Sequence, residues 1–307
     1  MNKTVKIVLL VLMLLALVVL VPSPALMEEW AADMTQVTPI AMDAQAGPKP
    51  LAQGYTDWGY QDGTISLSIS TDRYCDTPIY IARVRIAHPS QLRTMMAGRY
   101  GTQRTALVTT LAQRGNAVFA INGDYYSYIS TGLVVRQGQM YRWREDEELD
   151  ALIIDTQGNL HAVCGLDKET LEKTKETFGG AANDGGSILH ALTFGPALIV
   201  DGERAHETYT RPDGGEGKRA QRMVIAQDGP LSYVIVCCEG PDNTDSKGLT
   251  LEEMAQYMMT LDVDVAYNLD GGGSTSMIFK GEKINALSTS KNRSVSDILY
   301  FCTAVAQ

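Results

Sequence analysis

The run Asn268-Leu269-Asp270-Gly271-Gly272-Gly273-Ser274-Thr275-Ser276-Met277 places an amide and a carboxylate before three glycines and three hydroxyls. Consecutive glycines let the backbone lie close to a ligand, and three together need such a use, because glycine adds no side chain to a core. The apolar run 263–267 before it and Ile278-Phe279 after it make a strand that delivers polar groups to a loop. An Asp-Gly hairpin turn is the plain alternative. A second cluster, Asn122-Gly123-Asp124-Tyr125-Tyr126-Ser127, follows the apolar strand 117–121 and repeats the order of amide and carboxylate, then adds aromatics. Aromatic faces beside carboxylates and amides suit sugars, whose rings offer C–H faces and hydroxyls. Its alternative is a polar strand-end turn with Tyr125 and Tyr126 packed in the core. Two such strand ends in one chain favour a shared site.

Arginine supplies a third element. Arg219 and Arg222 precede the strand starting at Met223, and Arg293 precedes the last strand, 298–305. Paired guanidinium N–H groups grip phosphate or carboxylate, although solvated arginines are the commoner case. Other chemistries lack their signatures. The glycines are not followed by the Lys of a phosphate-binding P-loop, and Gly273-Ser274-Thr275-Ser276-Met277 is no nucleophile elbow. Histidines at 88, 161, 190 and 206 are too dispersed for a recognisable zinc pattern or a His-based triad. Five cysteines at 75, 164, 237, 238 and 302 are odd in number and irregular in spacing, so no disulfide framework follows. They read as small buried residues, with adjacent Cys237 and Cys238 facing opposite sides of a strand.

The elements that must position these groups are mostly strands. Alternation marks 64–70 and 79–86, and further strands are expected at 132–136, 151–155, 160–164, 197–200, 222–227 and 232–238. Helices are expected at 105–114, at 167–177 and, opened by the capping box Thr250-Leu251-Glu252-Glu253, through Leu261. The expected fold is α+β: a mixed, mostly antiparallel sheet system with a few flanking helices. Ahead of it, Lys3 and Lys6 precede the unbroken apolar stretch 7–21 and the small residues Ser23 and Ala25, the pattern of an export signal. Extended to Met27, the stretch also has the length of a membrane anchor, which would hold the body outside by the positive-inside rule. The expected organisation is therefore a signal peptide or anchor over 1–27, a linker over 28–50, and one domain over 51–307. The formal charge of −10 becomes −12 without the two leader lysines. That balance argues against nonspecific nucleic-acid binding and against a polybasic membrane contact, without excluding an anionic substrate, so membrane contact is expected through the N-terminal segment alone.

Taken in order, Ala120 to Tyr126, Gly132-Leu133-Val134-Val135-Arg136-Gln137-Gly138, Phe194-Gly195-Pro196-Ala197-Leu198, the segment around Arg222, Asn268 to Met277, Gly281 and Arg293-Ser294-Val295-Ser296-Asp297 resemble the phosphodiester glycosidase domain family, that of the mammalian "uncovering enzyme". Two departures stand out. Asp124 replaces a usual aromatic, and Ala220-Gln221-Arg222-Met223-Val224-Ile225-Ala226 stands where the family has Pro-Arg-Thr-Ala-Ile-Gly. The resemblance implies hydrolysis of a phosphorylated sugar or glycan, breaking the bond between the anomeric carbon and oxygen of a sugar-1-phosphodiester. The phosphate is already a good leaving group, so anion stabilisation matters more than leaving-group protonation. On that basis Arg222 and Arg293 hold the phosphodiester, and Gly271, Gly272 and Gly273 admit backbone donors. Asp270 is the first catalytic carboxylate and Asp124 the second. Asn122 and Asn268 orient hydroxyls or water, and Tyr125 packs on the sugar. Ser274 is a nucleophile candidate for which the sequence supplies no base.

No cofactor is required, although a divalent metal on Asp124 and Asp270 would fit a phosphodiesterase that cleaves P–O instead. A noncatalytic wall or exopolysaccharide-binding module and a transglycosylating, polymer-remodelling enzyme are the remaining alternatives.

Overall fold

Strands dominate the computed structural model, which describes residues 30–209, 217–286 and 292–306. The chain divides into two units, Met1–Ala31 and Ala32–Gln307, and every element below belongs to the second. The leader, and the export reading with it, lies outside the described residues. Among those described, no helix is long and apolar enough to cross a membrane.

Three sheets form the body. The largest has nine strands in the order Tyr55–Thr56, Gly59–Gln61, Ile65–Tyr74, Thr77–Ile86, Ser232–Cys238, Arg222–Gly229, Val265–Leu269, Ala197–Val200 and Glu203–Arg204. A five-stranded sheet runs Leu160–Val163, Ala151–Asp155, Ile188–Thr193, Gly132–Arg136, Gln139–Arg144. The other runs Glu282–Lys283, Met277–Phe279, Phe119–Asn122, Asp297–Phe301, Leu92–Met96. The named strands pair antiparallel, and the parallel contact among the described residues is the isolated Ala181–Ile188 bridge.

Period-two alternation explains how the sheets share a core. Met223 and Ile225, Tyr267 and Leu269, Phe119 and Ile121, Leu299 and Phe301, and Leu152 and Ile154 all enter one apolar cluster drawn from the three sheets. Their strand neighbours Val224, Ala226 and Ala266 turn to the opposite face of the large sheet. Cys237 and Cys238 divide between these two clusters as adjacent strand residues must. Cys302 is buried too, but Cys75 and Cys164 are exposed, which corrects the reading of all five as buried.

Each outer face is covered by one helix: α1 (Val108–Arg114), α2 (Lys168–Phe178) and α3 (Leu251–Met259). In α3, Thr250 Oγ1 accepts from Glu253 N at 3.1 Å and Glu253 Oε2 from Thr250 N at 3.0 Å. This satisfies end groups that a helix otherwise leaves unpaired, contributing about 1 kcal/mol. Asp167 caps α2 and left-handed Gly179 ends it. Helix α1 starts later than residue 105 because Ala106 exchanges backbone hydrogen bonds with Val295. The last strand stops at Phe301, opposite Leu92, where its partner strand begins. Residues 32–50 carry no helix or named strand, yet they dock on the body. Asp33 N donates to Gly63 O at 2.7 Å, and buried Arg93 donates to the carbonyls of Ala41, Met42 and Ala44.

Candidate active site

The strands Phe119–Asn122 and Val265–Leu269 belong to different sheets but end together. Asn122 joins them: its Nδ2 donates to Asp270 O at 2.7 Å and Gly123 O at 3.2 Å, and its Oδ1 accepts from Ser276 N at 3.0 Å. Asp270 N donates back to Gly123 O at 3.4 Å. The two polar clusters are therefore one structure, with the Asn122 amide occupied by backbone groups. Asp270 itself is 9% exposed, at the entrance to the glycine loop.

The three glycines serve separate needs. A Cβ on Gly271 would stand 2.7 Å from Gln221 O, Gly272 has φ +56°, and a Cβ on Gly273 would stand 3.0 Å from Arg293 Nε. Arg293 thus lies flat against Gly273, three residues from Asp270. Gly272 N donates to Gln221 O at 2.9 Å, while the N–H groups of Gly271 and Gly273 have no backbone acceptor among the described residues. Ser274 is buried in the turn, and no described basic side chain hydrogen-bonds its hydroxyl.

Asp124 lies in a different environment. Its Oδ2 accepts from Arg136 Nη2 at 2.8 Å and from Thr193 N at 3.0 Å, and its Oδ1 accepts from Tyr126 N at 3.0 Å. Arg136 Nε donates to Asp297 Oδ2 at 2.7 Å, so one buried guanidinium bridges two buried carboxylates. Burial works against the guanidinium's charge, but Asp124 and Asp297 outweigh it and push its pKa up. Burial also raises Asp297, to about 7, with Arg136 opposing the shift and Asp124 adding to it. One cation cannot neutralise two carboxylates, so a proton is retained on the triad. Arg136 and Asp297 received no role from their sequence neighbourhoods. The available signal was their place within the ordered motifs.

Asn268 Nδ2 donates to Gly195 O at 2.7 Å, and its buried Oδ1 has no partner among the described residues. Arg222 extends the register one step past the Met223–Leu269 pair, which sets it beside Asp270 at the strand ends. Its Nε donates to Leu249 O at 3.1 Å and its Nη2 to Lys218 O at 2.6 Å. Tyr125 stacks on exposed Tyr128 with centroids 4.6 Å apart and meets Phe194 edge-on at 6.2 Å. Among the described residues, Asp124 and Asp270 belong to no three-residue group of metal-ligating side chains. Among the described residues, that geometry occurs at Asp150, Cys164 and His206.

The sequence profile of the phosphodiester glycosidase family matches residues 115–302. The fold is similar to the catalytic domain of zebrafish N-acetylglucosamine-1-phosphodiester α-N-acetylglucosaminidase, auto-inhibited by its pro-peptide, with TM-score 0.59 and 18% identity over 77% of this chain and 82% of that one. A Synechocystis protein is similar with TM-score 0.50 and 18% identity over 77% of this chain and 62% of its own. No curated protein sequence matches.

Proposed function

The chain belongs to the phosphodiester glycosidase family, and on that premise we propose that it is an exported hydrolase cleaving the glycosidic C–O bond of a sugar-1-phosphodiester in an envelope or extracellular glycan. One observation carries the reading: Asp270 and the Arg293 guanidinium flank the same glycine loop, at the junction stitched by Asn122. A carboxylate and a cation so placed match the two charges that develop in this reaction, positive at the anomeric carbon and negative on the departing phosphate.

In this reading the bond's electron pair leaves with the phosphate oxygen, and Arg293 stabilises that anion, with the N–H groups of Gly271 and Gly273 as further donors. Asp270 stabilises the cationic carbon or takes the proton of the attacking water. Asn268 Oδ1 accepts from a sugar hydroxyl, and Tyr125 with Tyr128 offers ring faces. Arg222 holds its end of the site through Leu249 and Lys218. Asp124 becomes a positioning group, because its carboxylate is occupied by Arg136 and two backbone donors. That occupation also disfavours a cation held between Asp124 and Asp270. The basic, apolar and small-residue order of the leader supports export.

The test is incubation of the full chain with a panel of sugar-1-phosphodiesters, including teichoic-acid and exopolysaccharide fragments, in oxygen-18 water. Released reducing sugar carrying the label is the expected result. Label in the phosphate would replace the reading with P–O cleavage, and binding without turnover across the panel would replace it with a glycan-binding module.

A further inference from the structure

Away from the glycine loop, three side chains from separate segments converge. Asp150 is buried, His206 is partly buried and Cys164 is exposed, and one ligating atom of each lies within 4.8 Å of the other two. Asp150 Oδ2 stands 2.7 Å from His206 Nε2. Mutual closeness of all three separates this cluster from a nucleophile–imidazole–carboxylate relay. In a relay the ring stands between thiol and carboxylate and keeps them apart. Here sulfur, nitrogen and oxygen surround one point.

The carboxylate is held in place independently of the histidine. Its Oδ1 accepts from Gly165 N at 2.9 Å and its Oδ2 from Ala197 N at 2.8 Å. Backbone donors behind a ligand of this kind fix its orientation before an ion arrives. Bound to an ion as thiolate, neutral imidazole and carboxylate, the three groups would carry two negative charges, which suits a dication. The ion would displace the proton that Asp150 and Cys164 otherwise favour on His206, whose pKa they push up to about 10. Thiolate is a poor ligand for magnesium or calcium and a good one for zinc. Zinc takes ligands at about 2.0–2.3 Å, so its donors stand roughly 3.3–3.6 Å apart. Reaching that spacing needs the His206–Asp150 contact to open by about half an ångström, within the range of side-chain rotation.

We propose that Asp150, Cys164 and His206 form a binding site for one divalent ion of the zinc class, with a fourth position open to solvent on the Cys164 side. The ion would act on the candidate active site through Asp150. The Asp150 main-chain carbonyl accepts from Tyr267 Oη at 2.7 Å, and the same Oη accepts from Phe194 N at 3.0 Å. Gly195, next in sequence, holds Asn268. Fixing Asp150 therefore fixes Phe194, which meets Tyr125 edge-on, and Gly195, whose carbonyl accepts from the Asn268 amide.

The experiment titrates the reduced, metal-stripped full chain with Zn²⁺ and, separately, Co²⁺. One ion per chain, a raised melting temperature and a thiolate-to-cobalt charge-transfer band in the near ultraviolet are expected. Cys164→Ser should abolish the band, and His206→Ala should weaken Zn²⁺ binding at least about tenfold. Cys75→Ser, which alters the other exposed thiol, should change neither. Absence of stoichiometric uptake by the wild-type chain overturns the proposal even where a variant fails to fold. So does uptake that survives both Cys164→Ser and His206→Ala, or a band lost with Cys75→Ser.

Discussion

Asn122-Gly123-Asp124 and Asn268-Leu269-Asp270 share a local plan, an apolar strand ending in an amide and, two residues later, a carboxylate. Their surroundings give them different work. Asp124 turns into the gap between sheets, where Arg136 and two backbone donors hold it. Asp270 stands on the loop whose third glycine faces Arg293. In the proposed reading, the carboxylate matched by a buried guanidinium positions structure, and the one on the glycine loop, whose third glycine meets a second arginine, serves the ligand. The first is judged by stability and the second by turnover.

That contrast is broken most directly at Asp270. Asp270→Asn should lower kcat by about 10²–10⁴-fold with the melting temperature little changed. An equal loss in a well-folded Asp124→Asn chain would erase the distinction. Arg136→Ala should cost about 3–5 kcal/mol of stability in urea denaturation, because two buried carboxylates lose their cation. Unchanged stability would mean the triad holds nothing together.

The triad also sets a pH dependence. Asp297 keeps its proton to about pH 7 in the folded chain, against 3.8 for an ordinary aspartate. The folded state therefore binds more protons in between, and this group's contribution to stability falls as pH rises from about 4 to about 7. Asp297→Asn should flatten that slope in urea midpoints measured across the window, and an unaltered slope would assign it elsewhere. Smallest is Arg293→Ala, which removes a charge-assisted contact of about 1.5–3 kcal/mol and should lower kcat/KM roughly 10–100-fold, leaving the fold intact. Normal kcat/KM would move the phosphodiester away from Gly273.

Local signals were enough for much of this architecture. The strands Gly132–Arg136, Ala151–Asp155, Ala197–Val200 and Ser232–Cys238 have the expected bounds, since each is a short apolar run between turn residues. Helix α3 announced itself through a capping box that acts within four residues. The edge strands Leu92–Met96 and Gln139–Arg144 carry no clear local signal, because Arg93 and Thr94 in the first and Gln139, Arg142 and Arg144 in the second leave no regular apolar alternation. Ile188–Thr193 escaped notice because it is buried throughout, with no alternation to read, and because His190 and Thr193 break its apolar run.

For the site, residue types at Asn122, Asp270, the three glycines and Arg293 were readable, since amide, carboxylate, glycine and guanidinium chemistry is intrinsic. Which carboxylate meets which cation was not. Arg136 reaches Asp297 across 161 residues, and Asp150 meets His206 across 56. Hydrophobic periods and helix caps act over a few residues and so are written locally. The partner of a buried charge depends on how distant sheets pack, and that packing separated Asp124 from Asp270 despite their shared pattern.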